Sequence, residues 1–162
     1  MIVLLYKIIN KIRLFYYNLR YRIYRKTYKI DTTFSFGGID IELYGEGEII
    51  LGKNSYIGNR SALASEKDCK IVIGNDCAIS HNVRIYTINR DPNSIINNSE
   101  KKYITGDVII GNNVWIGANV FINQGVTIGS NVVIGANSVV TKDILSNSIA
   151  VGAPAKVIKS NN

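Results

Sequence analysis

Between Leu51 and Val140 an aliphatic residue returns every sixth position. The series runs Leu51, Ile57, Leu63, then Ile73, Ile79, Ile85, then Ile110, Ile116, Ile122, Ile128, Ile134, Val140. Ile, Leu and Val together make up 49 of the 162 residues, so twelve of them in strict phase is not an accident of composition. The second place of the unit is Gly at 52, 58, 74, 111, 117, 129 and 135, which predicts a tight turn there. The fifth place is small or β-branched at Ser55, Ser61, Cys77, Val83, Val114, Val120, Val126, Val132, Ser138 and Ile144. Only Lys67 and Asn89 break that rule, each just before the phase is interrupted.

A unit with one inward aliphatic residue and one small inward partner makes a short strand and a corner. Three units close a triangular coil of about 18 residues, and coils stack about 4.8 Å apart with their backbones paired. The pattern therefore predicts an all-β chain built as a parallel β-helix. Residues 33–50 read as a degenerate opening coil with Ile39 in phase. Two interruptions, four residues after the unit at Leu63 and 19 after the unit at Ile85, both follow a third unit. They leave the prism from one edge, one coil apart. So long an excursion in so regular a stack marks the functional edge, a loop over 90–109 opening with Arg90-Asp91-Pro92. Cys77, at a fifth place, reads as core filler.

The remaining domain is an arm over residues 1–30, ahead of a β-helix over 31–162. The arm carries eight Lys and Arg residues and no acid; the rest of the chain has eleven basic against twelve acidic residues, so the net charge of +7 belongs to the arm. Ile2, Leu5, Ile9, Ile12, Tyr16, Leu19 and Ile23 recur at spacings of three and four, which predicts an amphipathic helix. Lys7, Lys11, Asn18, Arg22, Arg25 and Lys29 line the opposite side. Six of the ten tyrosines lie in this segment, and such rings favour apolar–aqueous boundaries. No uncharged run reaches the ~20 residues of a bilayer span, and no small-residue cleavage site follows. Peripheral contact with a membrane surface is the expectation, against helix packing on the body or a neighbouring subunit and against a nucleic-acid arm.

Composition narrows the chemistry further. One histidine and two cysteines outside any Cys-x-x-Cys pair argue against a metal site, so none is expected. Two free thiols suit a reducing compartment. The stretch GEGEIILG (45–52) lacks the Gly-Lys-Ser/Thr of a phosphate loop, and Leu51-Gly52 already belongs to the repeat.

The stretch IGNNVWIGANVFINQGVTIGSNVVIGANSVVTKD (110–143), followed by GAPAKVI (152–158), resembles the hexapeptide-repeat acyltransferases. Within them it is most similar to the maltose, galactoside and polysaccharide-biosynthesis sugar O-acetyltransferases, over about residues 35–159. The resemblance implies a left-handed β-helix and a homotrimer with active sites in clefts between adjacent prisms, where acetyl-CoA lies along the coils. The family's acetyl-CoA contacts fall on Ala118, Ala136, Thr141, Lys142, Lys156 and Lys159. The alanines would let the cosubstrate approach the wall, and the lysines suit its pyrophosphate and 3′-phosphate. Trp115, the single tryptophan, is a candidate wall of the acceptor or pantetheine cleft or a trimer-interface residue.

ISHNVRIYTINRD (79–91) departs from the family. The usual run there is an aromatic residue and Thr, two variable residues, then the histidine that takes the proton from the sugar hydroxyl. Tyr86-Thr87-Ile88-Asn89-Arg90-Asp91-Pro92 keeps each landmark except that histidine, replaced by Arg90, which stays protonated and cannot act as a base. Three accounts follow: His81 serves as base from a shifted position; Asp91 does so with Arg90 steering an anionic acceptor; or the chemistry is lost and a scaffold remains. The reading is an acetyl-CoA-dependent O-acetyltransferase of a saccharide hydroxyl in surface-polysaccharide assembly (O-antigen or capsule), with no nucleic acid involved. It would be cytoplasmic or peripheral at the inner membrane face, its acceptor a saccharide such as a lipid-linked glycan. The alternatives are N-acetylation of a nucleotide-linked amino sugar and a silent trimeric β-helix.

Overall fold

A computed structural model describes residues 1–161. A helix, α1 (Ile2–Thr27), precedes the solenoid. The first coil holds β1 (Lys29–Ile30), β2 (Ser35–Gly37) and β3 (Glu42–Tyr44); the second, β4 (Glu48–Leu51), β5 (Tyr56–Gly58) and β6 (Ala62–Ala64). The third holds β7 (Lys70–Ile73), β8 (Ala78–Ile79) and β9 (Arg84–Tyr86), after which β10 (Ile88–Arg90), the short helix α2 (Pro92–Ile96) and β11 (Tyr103–Thr105) leave the stack. It resumes with β12 (Val108–Ile110), β13 (Trp115–Ile116) and β14 (Phe121–Ile122), then β15 (Thr127–Ile128), β16 (Val133–Ile134) and β17 (Val139–Val140). Two longer strands, β18 (Ser148–Val151) and β19 (Lys156–Ser160), end the chain. Strands of successive coils pair in parallel to give three faces: face A is β1-β4-β7-β12-β15, face B is β2-β5-β8-β13-β16-β18, and face C is β3-β6-β9-β14-β17. The antiparallel strand β19 closes the end of face B.

The six-residue period is the packing of this core. Each of the twelve in-phase aliphatic residues is at most 1% exposed, and all ten small or β-branched fifth-place residues are buried, Cys77 among them. Residue-on-residue stacking explains the phase: Ile57 pairs with Ile79, Ile79 with Ile116 and Ile116 with Ile134, so one apolar column runs the length of the prism. The opening coil departs from the expected phase. Phe36 stacks on Ile57 and Leu43 on Leu63, seven residues apart, while Ile39 is only half-buried. An extra residue at this corner, with Asp40 at φ 58°, shifts the inward place past Ile39. The solenoid also begins earlier than expected, because Lys29 and Ile30 already pair with β4.

The corners correct the role expected of glycine. None of the seven second-place glycines has a positive φ. They are needed because the coils approach closely: a Cβ on Gly74 would lie 2.4 Å from the Gly111 carbonyl oxygen in the next coil. The turn is made two places later, at Asn54, Arg60, Asp76, Asn82, Asn113, Asn119, Asn131 and Asn137, all with φ between 54° and 60°. Asn and Asp tolerate this left-handed conformation better than other side chains. Their amides then bond along the prism: Asn82 Nδ2 donates to Asn119 Oδ1 (2.8 Å) and Asn119 Nδ2 to Asn137 Oδ1 (3.0 Å) at the corner between faces B and C. A matching ladder, Asn113–Asn131–Asn147, lines the corner between faces A and B.

Both interruptions leave the corner between faces C and A. Thr87 binds them together: its buried hydroxyl accepts from the Glu66 N–H at 2.7 Å, and its own N–H donates to the Ala64 carbonyl. The longer excursion is an antiparallel hairpin, with Arg90 opposite Tyr103, that starts at Ile88 rather than Arg90. The open first coil is covered by α1. Tyr21 stacks on Phe36 with ring centroids 4.4 Å apart and donates to the Gly38 carbonyl, and burial pushes its hydroxyl pKa up to about 12. Tyr17 donates to Asp40, Arg13 and Arg20 pair with Asp40 and Glu42, and Arg25 binds the Asp31 and Phe34 carbonyls. The helix therefore docks through tyrosines. The aliphatic series Ile2, Leu5, Ile9, Ile12, Tyr16, Leu19 and Ile23 takes no part and remains 48–81% exposed.

Candidate functional site

The corner between faces B and C carries the third place of each face-B unit: Asn59, His81, Ala118 and Ala136 in four successive coils. The carbonyls of the first three are tied to the next coil, since Asn82 N–H donates to Asn59 O (2.9 Å), Asn119 N–H to His81 O (3.1 Å) and Asn137 N–H to Ala118 O (2.8 Å). The backbone is thus fixed while the side chains project outward. His81 and Ala136 are exposed and Ala118 is half-exposed, so the column narrows from an imidazole to two methyl groups. It leads on to Lys156, which is exposed opposite Val151, the residue stacked over Gly135. This corner therefore brings together the base candidate and three of the six residues expected to meet acetyl-CoA: Ala118, Ala136 and Lys156.

A second group gathers at the corner between faces C and A. Asn89 donates from one amide to Asn123 Oδ1 (2.5 Å) and Gln124 Oε1 (2.7 Å), pinning the base of the hairpin to the next coil. Asn123 N–H in turn donates to the Val140 carbonyl, placing exposed Thr141 and Lys142 directly above. Arg90 follows Asn89 and is exposed. Asp91 is committed differently: its Oδ1 accepts from Asn93 N–H at 2.9 Å and caps α2. One oxygen of the Asp91 carboxylate is thus engaged by the backbone of its own loop.

The two corners flank face C. Six residues separate His81 from Thr87, at most ~20 Å of extended chain, so the groups occupy opposite margins of one face. On that face a groove of about 380 Å³ is lined by Asp40, Glu42, Arg60, Ala62, Asn82 and Arg84, next to His81. The Arg84 guanidinium donates to the Arg60 carbonyl. Sequence reasoning missed Arg60, Arg84 and the Asn89–Asn123–Gln124 cluster; Asn89 alone had left a trace, as an exception to the fifth-place rule. Trp115 and Lys159 lie elsewhere, in an outward column of face B that runs Tyr56, Ala78, Trp115, Val133, Ile149, Lys159. Trp115 is 55% exposed beside a groove of about 210 Å³, and Lys159 lines one of about 360 Å³.

The fold is shared with known proteins. Residues 107–142 match the family described as bacterial transferase hexapeptide (six repeats). A solved maltose O-acetyltransferase from Clostridium difficile 630 is 40% identical, with 90% of this chain and 76% of that chain aligned at a TM-score of 0.65. The chain belongs to the hexapeptide-repeat transferases. A polysialic acid O-acetyltransferase of Escherichia coli O1:K1 / APEC is 38% identical over 75% of this chain, which spans only 39% of that relative's length. AntD, an N-acyltransferase from Bacillus cereus solved with dTDP and 3-hydroxybutyryl-CoA, is 27% identical over 82% of this chain and 79% of its own, with a TM-score of 0.65.

Proposed function

We propose that this chain transfers acetyl from acetyl-CoA to a saccharide hydroxyl in cell-surface polysaccharide assembly, working as a homotrimer with its sites between protomers. The observation that carries the reading is the division of the candidate residues between the two margins of face C. A ring of three protomers sets the B–C corner of one beside the C–A corner of the next, as a closed heterologous interface does. His81, Ala118, Ala136 and Lys156 of one protomer then share a cleft with Arg90, Thr141 and Lys142 of its neighbour. His81 takes the proton from the acceptor hydroxyl as that oxygen attacks the thioester carbonyl; the C–S bond breaks and the thiolate leaves, reprotonated by the imidazolium. Lys142 and Lys156 balance the cosubstrate phosphates and Arg90 orients an anionic acceptor, whereas Trp115 and Lys159, outward on face B, stand apart from this cleft. The relative acting on polysialic acid supports such an acceptor, and a lipid-linked glycan presented at the inner membrane face suits the arm.

Subunit complementation tests the shared cleft. His81→Ala and Lys142→Ala are each expected to be nearly inactive, yet trimers refolded from an equal mixture regain an intact cleft at about a quarter of interfaces. Activity in the mixture that stays at the level of the separate variants would mean that both residues act from one protomer, or that neither acts. The N-acylation reading draws support from AntD, crystallised with dTDP and an acyl-CoA. Turnover with a nucleotide-linked amino sugar, and none with hydroxyl acceptors, would favour it.

A further inference from the structure

The docked helix leaves one feature unused by acetyl transfer. Its tyrosine face is spent on the first coil, and every body partner named for it lies within residues 31–42. At 100° per residue the series Leu5, Ile12, Tyr16, Leu19 and Ile23 falls on the side of the helix turned away from Tyr17, Tyr21 and Tyr24. Ile8 and Phe15 extend that series and are 46% and 70% exposed. In the first turn of the helix Ile2, Val3, Leu4 and Leu5 are all more than half exposed. Among the described residues no helix is long and apolar enough to cross a membrane.

We propose that α1 lies in the surface of an anionic bilayer, with its outward aliphatic stripe in the acyl boundary and Lys7, Lys11, Arg22 and Lys26 against lipid phosphates. Charge selects this occupant over a second copy of the chain. Residues 1–30 hold eight cations and no acid, and three of the arginines are already bound to the body. A bundle of such helices would crowd like charges with no acid on the arms to pair them, whereas anionic lipid neutralises them while covering the stripe. The docking of α1 on the first coil then fixes the prism with that coil toward the membrane. The inference does not rest on the acetyltransferase reading.

The test is co-sedimentation of the full chain with vesicles of phosphatidylcholine containing about one third phosphatidylglycerol, compared with pure phosphatidylcholine. Binding is expected to the anionic vesicles, to weaken at high salt, and to fall about tenfold or more in Ile9→Asp/Ile12→Asp. Both positions are exposed, so that variant keeps its far-ultraviolet spectrum and its mass by light scattering. Lys7→Gln/Lys11→Gln weakens binding to the anionic vesicles alone. Equal binding to both vesicle types, or unchanged binding of the Ile9→Asp/Ile12→Asp variant, overturns the proposal. A fall in assembly mass in that variant also overturns it, since the stripe would then be covered by another copy. Acetyl transfer to a soluble sugar is unaffected in every arm, which keeps this outcome separate from the enzymatic reading.

Discussion

Replacing His81 with alanine lowers acetyl transfer by about 10²–10⁴, or roughly 3–5 kcal/mol of transition-state stabilisation, because a positioned base contributes that much. Affinity for acetyl-CoA holds, since the alanine wall and the lysines are untouched. Added imidazole recovers part of the rate, because the space left beside Ala118 lies at an exposed corner. Asp91→Ala serves as the contrast. It removes a helix cap worth about 1 kcal/mol and loosens the hairpin tip, with a far smaller effect on turnover. Steady-state kinetics on the three proteins settle the order; a larger loss in the Asp91 variant, with His81→Ala near wild type, would move the base to the hairpin.

The second large effect is on stability, and it separates two kinds of glycine. A Cβ on Gly117 would lie 2.5 Å from the Ala136 backbone nitrogen and 2.8 Å from its Cα, against the backbone of the next coil with no flexible side chain to yield. Gly117→Ala is therefore expected to cost about 3 kcal/mol or more, at the upper end of overpacking, and to lower Tm by about 10 °C. It wedges apart the coils that carry Ala118 and Ala136, so acetyl-CoA binding weakens with it. Gly125 has a φ of 74° but open space around the Cβ position. Gly125→Ala costs only the backbone strain, about 1 kcal/mol. Thermal unfolding of both variants checks this; equal losses would show that coil spacing adjusts to a methyl group.

The solenoid was legible because its period is the packing itself. An inward residue every sixth place has one meaning in a triangular prism, and Ile116 or Val132 needs no partner beyond the same place in the next coil. The same periodicity said nothing about why Gly74 is glycine: the turn and the close approach both call for glycine, and only coordinates separate them. Ile39 was misplaced because the opening coil has one extra residue at its corner, where no neighbour on the outer side enforces the phase. On α1 the aliphatic spacing was read correctly as a face. The docking face was missed because Tyr17, Tyr21 and Tyr24 share the same helical spacing, and nothing local tells which of two stripes meets the body.

The candidate site was legible only in part. His81 and Ala118 are 37 residues apart in sequence and stacked in space, a neighbourhood that follows once coils are counted. The Asn89–Asn123–Gln124 cluster depends on where a hairpin folds back, and hairpin geometry is set by long-range pairing such as Asn89 with Ile104. The commitment of Asp91 to a helix cap likewise required the helix to be seen.

The central claim, acetyl transfer from acetyl-CoA to a saccharide hydroxyl, is tested most directly by thiol release. The purified full chain is incubated with acetyl-CoA and a panel of neutral and acidic oligosaccharides, with product masses read in parallel. The account predicts thiol release that rises with the acidic saccharides, matched by one acetyl group gained per thiol freed. Acetyl-CoA that stays intact with every acceptor, or thiol release with no acetylated product, would contradict it.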